Sequence, residues 1–143
     1  VAGRAGRSPL GGQVILQTFQ PDHYVIQTAS GHDYREFYRQ EIGHRQQLGY
    51  PPFTNLVRLE TRSTRQDQAR RRARRFGEQL KVRMEQQGLS ATQMIGPVPP
   101  YFERIRGEYR WQIILRGPDP AALFREDPPG GDWILEVNPP SLL

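Results

Sequence analysis

The consecutive prolines Pro51 and Pro52, directly after Gly49 and Tyr50, constrain the fold of this 143-residue chain more than any other feature. Neither proline has a backbone N–H to donate, and each pushes the residue before it out of the helical region, so no regular helix or inner strand runs through this point. The segment before the prolines reads as helix and the segment after them as strand. From Asp33, an N-cap with Glu36 three residues on, the run Tyr34, Phe37, Tyr38, Ile42 and Leu48 keeps helical spacing until Gly49. After the prolines, Phe53, Val57 and Leu59 fall on one face of an extended segment reaching Thr61. Thr54, Arg58 and Glu60 fall on the other, as in a half-exposed strand.

The pattern continues downstream. A long helix over about 65–87 carries Ala69, Ala73, Phe76, Leu80 and Met84 at successive steps of three or four, and Gly88 stops it. Met94 and Ile95 begin a strand interrupted by Gly96-Pro97 and Pro99-Pro100. Residues 101–105 and 109–116 then read as a hairpin around Arg106-Gly107-Glu108. In its second arm Tyr109, Trp111, Ile113 and Leu115 face one way, and Arg110, Gln112 and Arg116 the other. Asp119 caps a short helix through Phe124, the Pro128-Pro129-Gly130-Gly131 cluster breaks it, and Trp133 to Val137 gives a last strand. This order predicts an α+β fold, a ferredoxin-like (split βαβ) domain with its helices on one face of an antiparallel sheet. Near the start, Gln13 to Phe19 is rich in β-branched and apolar residues and reads as a buried strand.

Composition narrows the partners rather than the fold. Hydrophobic residues make up 36% of the chain, below the roughly 45–50% of ordinary globular domains, so the core must be small. The 20 Lys and Arg against 15 Asp and Glu leave a formal net charge of +5, and Lys81 is the only lysine among those cations. The planar guanidinium fork suits phosphates and stacked bases. A polyanion such as nucleic acid therefore fits as a partner, although a merely soluble basic domain shows the same balance. With no cysteine and three scattered histidines, neither a disulfide framework nor a thiolate zinc site can form, and no metal-ligand spacing is present. No apolar run approaches the roughly 20 residues of a membrane helix, so a cytoplasmic protein with no membrane partner is expected.

The densest chemistry lies in Val1-Ala2-Gly3-Arg4-Ala5-Gly6-Arg7. Arg4 and Arg7, separated by two small residues, can turn both guanidiniums on one phosphate cluster, and the glycines let backbone and ligand approach closely. In nucleotide hydrolysis such arginines stabilise the transferring phosphoryl group, an effect worth roughly 10³ to 10⁵ in rate. A glycine-arginine loop on a nucleic-acid backbone has the same make-up. No P-loop, nucleophile elbow or cleft signature with paired carboxylates accompanies them, so this chain is not expected to be an enzyme by itself.

Residues 1–7, Gly12-Gln13-Val14-Ile15-Leu16-Gln17-Thr18-Phe19, Asp33-Tyr34 with Phe37-Tyr38, and Leu48-Gly49-Tyr50-Pro51-Pro52-Phe53 together resemble the primosomal protein N′ (PriA) family of replication-restart helicases. Gly107 to Leu115 and the closing Val137 to Leu143 resemble the C-terminal domain of the same family. The resemblance implies that residues 1–32 end the second RecA-like helicase lobe. It implies a connecting helix and Pro-rich boundary at 33–52, and a C-terminal DNA-binding or docking domain at 53–143. It further implies a parent that is an ATP-dependent 3′–5′ DNA helicase, binds branched DNA and initiates primosome assembly, cytoplasmic and nucleoid-associated. Arg4 and Arg7 match that family's ATP-sensing arginines, while the glutamine that usually opens the motif, the P-loop and the zinc-binding cysteines are expected upstream. No cofactor is expected in this fragment; ATP with Mg and structural zinc belong to the full-length parent.

Within the C-terminal domain, Arg70, Arg71, Arg72, Arg74, Arg75, Lys81 and Arg83 lie outside the apolar stripe of the long helix and suit phosphate contacts. A solvated face laced with intrahelical pairs fits the same pattern. The hairpin sets Arg104, Arg106 and Arg110 beside Tyr101 and Tyr109, a basic surface with aromatics for unpaired bases, whereas Trp111 shares the alternation of Ile113 and Leu115 and is expected in the core. The expected DNA-contacting set is Arg71, Arg74, Arg75, Arg104, Arg106, Tyr109 and Arg110, with branched or single-stranded DNA as partner. The alternative is a docking module that braces the helicase lobes and recruits primosome proteins, favoured if the hairpin arginines are buried in carboxylate pairs. The family also meets the acidic tail of single-stranded DNA-binding protein. Here the short helix near 120–126 departs from the family pattern, with Arg125 its only cation.

Overall fold

The computed structural model describes residues 14–140. The chain divides into two compact units between Gly43 and His44, inside a helix and earlier than the boundary expected at the prolines. Residues 48–52 go with the second unit because its sheet holds them: Arg116 donates to the Leu48 carbonyl at 2.6 Å and its guanidinium lies 5.7 Å from the Tyr50 ring centroid.

In the first unit, α1 spans Tyr24–Ser30 and α2 begins at Tyr34 and runs to Leu48. The capping read from the sequence is present, since Asp33 Oδ1 accepts from the Glu36 amide at 3.0 Å. Helix α1 was not legible, because Val25, Ile26 and Thr28 are β-branched and its cap is His23, whose Nδ1 accepts from Val25 N. The Tyr24 hydroxyl donates to Glu41 at 2.5 Å, and the Tyr24 ring stacks on Phe37 at 6.3 Å, so α1 folds back on α2. The strand expected over 13–19 is not formed among the described residues 14–19. Ile15 is 84% and Phe19 fully exposed. A strand exists only through a neighbour's backbone, and no described segment pairs with this one.

The second unit is an antiparallel sheet in the order β2-β4-β1-β5, with β3 paired to β4. Strand β1 (Asn55–Ser63) leads into α3 (Gln66–Gln86) and then β2 (Gln93–Val98). The two-residue β3 (Arg104–Ile105) turns into β4 (Glu108–Gly117), which inserts between β1 and β2. A 3₁₀ helix at Pro120–Phe124 precedes β5 (Trp133–Val137). The fold is therefore α+β, as expected. At the β3–β4 turn, Arg106 (φ 51°) and Gly107 (φ 86°) both adopt the left-handed conformation that a two-residue hairpin connection requires.

The apolar stripe of α3 packs on one face of the sheet. Leu80 meets Val57, Leu59, Ile113, Leu115, Leu123 and Phe124, all buried; each fully buried side chain of this size contributes about 1.5–3 kcal/mol. Gly77 sets the spacing, because an added Cβ would lie 3.3 Å from Pro97 and 3.6 Å from Ile113. Three local expectations are corrected. Strand β1 begins after Phe53 and is not half-exposed. As the central strand it buries Leu56 and Glu60 on its second face as well as Val57, Leu59 and Thr61 on the first. Strand β2 runs through Pro97 with a register shift between Ile95 and Val98, tolerable because an edge strand needs no inward N–H there. Asp119 does not cap the 3₁₀ helix; its carboxylate accepts from Arg125 at 2.6 Å instead.

Candidate nucleic-acid interface

Arg4 and Arg7 lie outside the described residues. The remaining site residues separate into three environments. On the outer side of α3, Arg70, Arg74, Arg75 and Lys81 are exposed, and none of them forms an ion pair among the described residues. Arg71 is exposed too, but it pairs with Asp67 one turn earlier at 2.7 Å. Although desolvation works to raise the Asp67 pKa, hydrogen bonds from Arg71 and Arg65 outweigh it and hold the carboxyl below its ordinary value. The intrahelical pairing that a solvated face predicts is thus present at Arg71, while the three neighbouring arginines keep their charge available.

The other helix arginines are structural. Arg72 donates to Thr61 Oγ1 at 3.0 Å and to the Arg62 carbonyl at 3.3 Å, fastening the start of α3 to the end of β1. Arg83 donates to the Leu123 carbonyl and pairs with Asp127 at 3.0 Å, fastening the other end to the 3₁₀ helix. An arginine run that looks uniform in the sequence therefore alternates between anchors and free cations, because the helix turns 100° per residue and only some positions overhang the sheet.

On the hairpin, Arg106 is exposed at the turn and Arg104 lies with its guanidinium 5.0 Å from the centroid of the Tyr109 ring. Tyr109 is half-buried and one of its faces is taken by Arg104. Gln66 at the start of α3 donates to Glu103 at 2.7 Å, so the basic hairpin and the arginine-rich helix begin at the same end of the sheet.

Arg110 is corrected. It is not a surface cation: its side chain is 7% exposed and binds Glu60, itself 2% exposed, at 2.5 Å. A second hydrogen bond reaches the Phe102 carbonyl at 3.3 Å. Burial alone would raise the Glu60 pKa, but hydrogen bonds from Arg110 and from Arg62, the latter at 2.7 Å, hold it below its ordinary value. Register explains the pairing: Glu60 faces Gln112 across the strands and Arg62 faces Arg110, which places Arg110 diagonally beside Glu60. The signal for this pair was a glutamate within the apolar run of β1 and an arginine within that of β4. Trp111 is half-buried opposite Thr61, on the face covered by α3.

Among the described residues no group of three or more His, Asp or Glu side chains is arranged to hold a metal, and no helix is long and apolar enough to cross a membrane.

Fold and surface together define a class: a small α+β domain, one sheet face covered by a helix, with its unpaired cations gathered on that helix's outer side and on one hairpin. The model of the primosomal protein N C-terminal domain matches residues 46–126, and the chain belongs to this family. It is similar to proteins named replication restart protein PriA. The one from Synechocystis sp. is 37% identical over 82% of the chain, that of Bacillus subtilis 34% over 81%, and that of Thermotoga maritima 30% over 98%. The chain spans 14% of the length of the first two and 18% of the third.

Proposed function

We propose that this chain is the C-terminal, DNA-contacting part of a protein that acts in replication restart, binding branched or single-stranded DNA without catalysing a reaction itself. The observation that carries the reading is the set of unpaired cations Arg70, Arg74, Arg75 and Lys81 on the outer side of α3, with the exposed Arg104 and Arg106 on the hairpin. Cations held away from carboxylates release counterions from DNA, so affinity rests on them and declines with salt. The relatives' names supply the context of replication restart. In the full-length protein, Arg4 and Arg7 would act on the phosphates of Mg-bound ATP in a 3′–5′ helicase, and zinc would be bound elsewhere in the chain.

The test is binding of this chain to a model fork and to plain duplex across a salt series. The logarithm of the association constant is expected to fall linearly with the logarithm of salt concentration, with a slope of roughly −0.9 for each duplex phosphate neutralised. Replacing Arg70, Arg74 and Arg75 together by alanine is expected to flatten that slope. Absence of binding to either DNA at low salt overturns the reading.

A second reading, a docking module that braces the helicase lobes and receives primosome proteins or single-stranded DNA-binding protein, is favoured by one observation. Arg110 commits its charge to Glu60 inside the sheet, which leaves the hairpin two exposed arginines rather than three.

A further inference from the structure

A groove between the outer side of α3 and the start of β5 has a make-up that the helix and hairpin alone do not provide. Its free volume is about 730 Å³, and Arg71, Arg72, Arg75, Phe76 and Trp133 are among its lining residues. The indole of Trp133 is held from behind by a stack on Phe76, with centroids 4.5 Å apart and planes 29° from parallel. Its backbone is fixed by a hydrogen bond from Trp133 N to the Gly130 carbonyl at 3.0 Å. The ring packs against the core and is only partly buried.

Charge is arranged around this ring in a graded way. Arg72 is fixed by Thr61 and Arg62 and lies 3.5 Å from Asp132, so it contributes position more than free charge. Arg71 is shared with Asp67, and Arg75 has no ion pair among the described residues. An immobilised aromatic ring lining an open groove with cations on one flank is the combination that holds a single-stranded nucleic acid: the base stacks and the flanking phosphates meet the cations. A duplex keeps its bases stacked inside and has no use for the ring.

We propose that the α3–β5 groove is a subsite for one unpaired nucleotide, in which the base stacks on Trp133 and the neighbouring phosphates meet Arg75 and Arg71. This inference rests on the DNA-contacting reading above and adds to it a preference for unpaired bases at a named residue.

The chain has two tryptophans, so a Trp111→Phe chain reports Trp133 alone. At low salt, an oligothymidylate of about ten nucleotides is expected to quench Trp133 emission. An abasic strand of the same length, with equal phosphates and no bases, is expected to bind about tenfold more weakly and to leave the emission unchanged. Trp133→Leu in an otherwise unaltered chain, its fold checked by circular dichroism, is expected to bring the two strands to equal affinity. Equal binding of the two strands with unchanged emission overturns the stacking subsite while leaving charge-driven DNA binding standing. No binding of either strand removes both.

Discussion

Two sets of arginines in this chain, those of β4 and the three at positions 70, 74 and 75 on the outer side of α3, have the same chemistry and opposite fates. Arg110 on β4 is buried against Glu60, and Arg116 is engaged by Leu48, Gln93 and Tyr50. On α3, Arg70, Arg74 and Arg75 stand free in water. The difference lies in the neighbours. Arg110 sits on a covered face of the sheet, so its charge is desolvated and must find a partner. A helix lying on one sheet face has an outer side open to water, and its cations stay hydrated. Charge count alone therefore overstates the surface available to a polyanion, and the helix, not the hairpin, carries most of the free positive charge.

The contrast is broken most severely at Glu60. Glu60→Ala leaves Arg110 buried without its carboxylate, and unfolding by urea is expected to show a loss of about 3–5 kcal/mol. A change below about 1 kcal/mol would mean that water reaches the pair and that the strand arginine resembles the helix arginines after all. On the inner side of α3, Leu80→Ala is expected to cost roughly 2–5 kcal/mol, since Leu80 is fully buried in the core; a near-neutral result would place the helix loosely on the sheet.

The same pair gives a pH dependence with a defined sign. The folded Glu60 stays ionised at pH values where the unfolded chain, near the ordinary 4.5, already takes up a proton. Its contribution is therefore present above about that pH and lost as pH falls toward the lowered folded value. The wild-type chain should lose stability through this acid window more steeply than Glu60→Gln, as followed by thermal melts at stepped pH. Parallel curves would show that Glu60 is not held ionised.

The smallest stability effect is expected on the outer side of the helix. Arg74→Ala and Arg75→Ala should each change the unfolding free energy by no more than about 0.5 kcal/mol. A loss of 1 kcal/mol or more would reveal a structural contact and withdraw that residue from the DNA-contacting set.

Legibility in the sequence tracks the range of the interactions. The Asp33 cap, the α3 stripe from Ala69 to Met84 and the Arg106-Gly107 turn are each set by residues within a few positions of one another. The failures came from longer range. Gln13 to Phe19 has the composition of a strand, but no described segment pairs with residues 14–19. Glu60 and Arg110 alternate like solvent-facing residues, yet a strand cannot indicate whether its second face is covered. The stack of Phe76 on Trp133 joins residues far apart in the chain and left no periodic signal.

The sequence by itself determined the element order from residue 53 onward, the inward side of α3 and the abundance of arginine, because periodicity and turn chemistry act over one or two turns of chain. Only the tertiary structure decided which arginines are free. That depends on whether a carboxylate or carbonyl arrives from a segment 40 or 50 residues away, as the 3₁₀-helix carbonyl of Leu123 does for Arg83 and the strand carboxylate of Glu60 for Arg110, and a buried guanidinium is stable only where such a partner arrives.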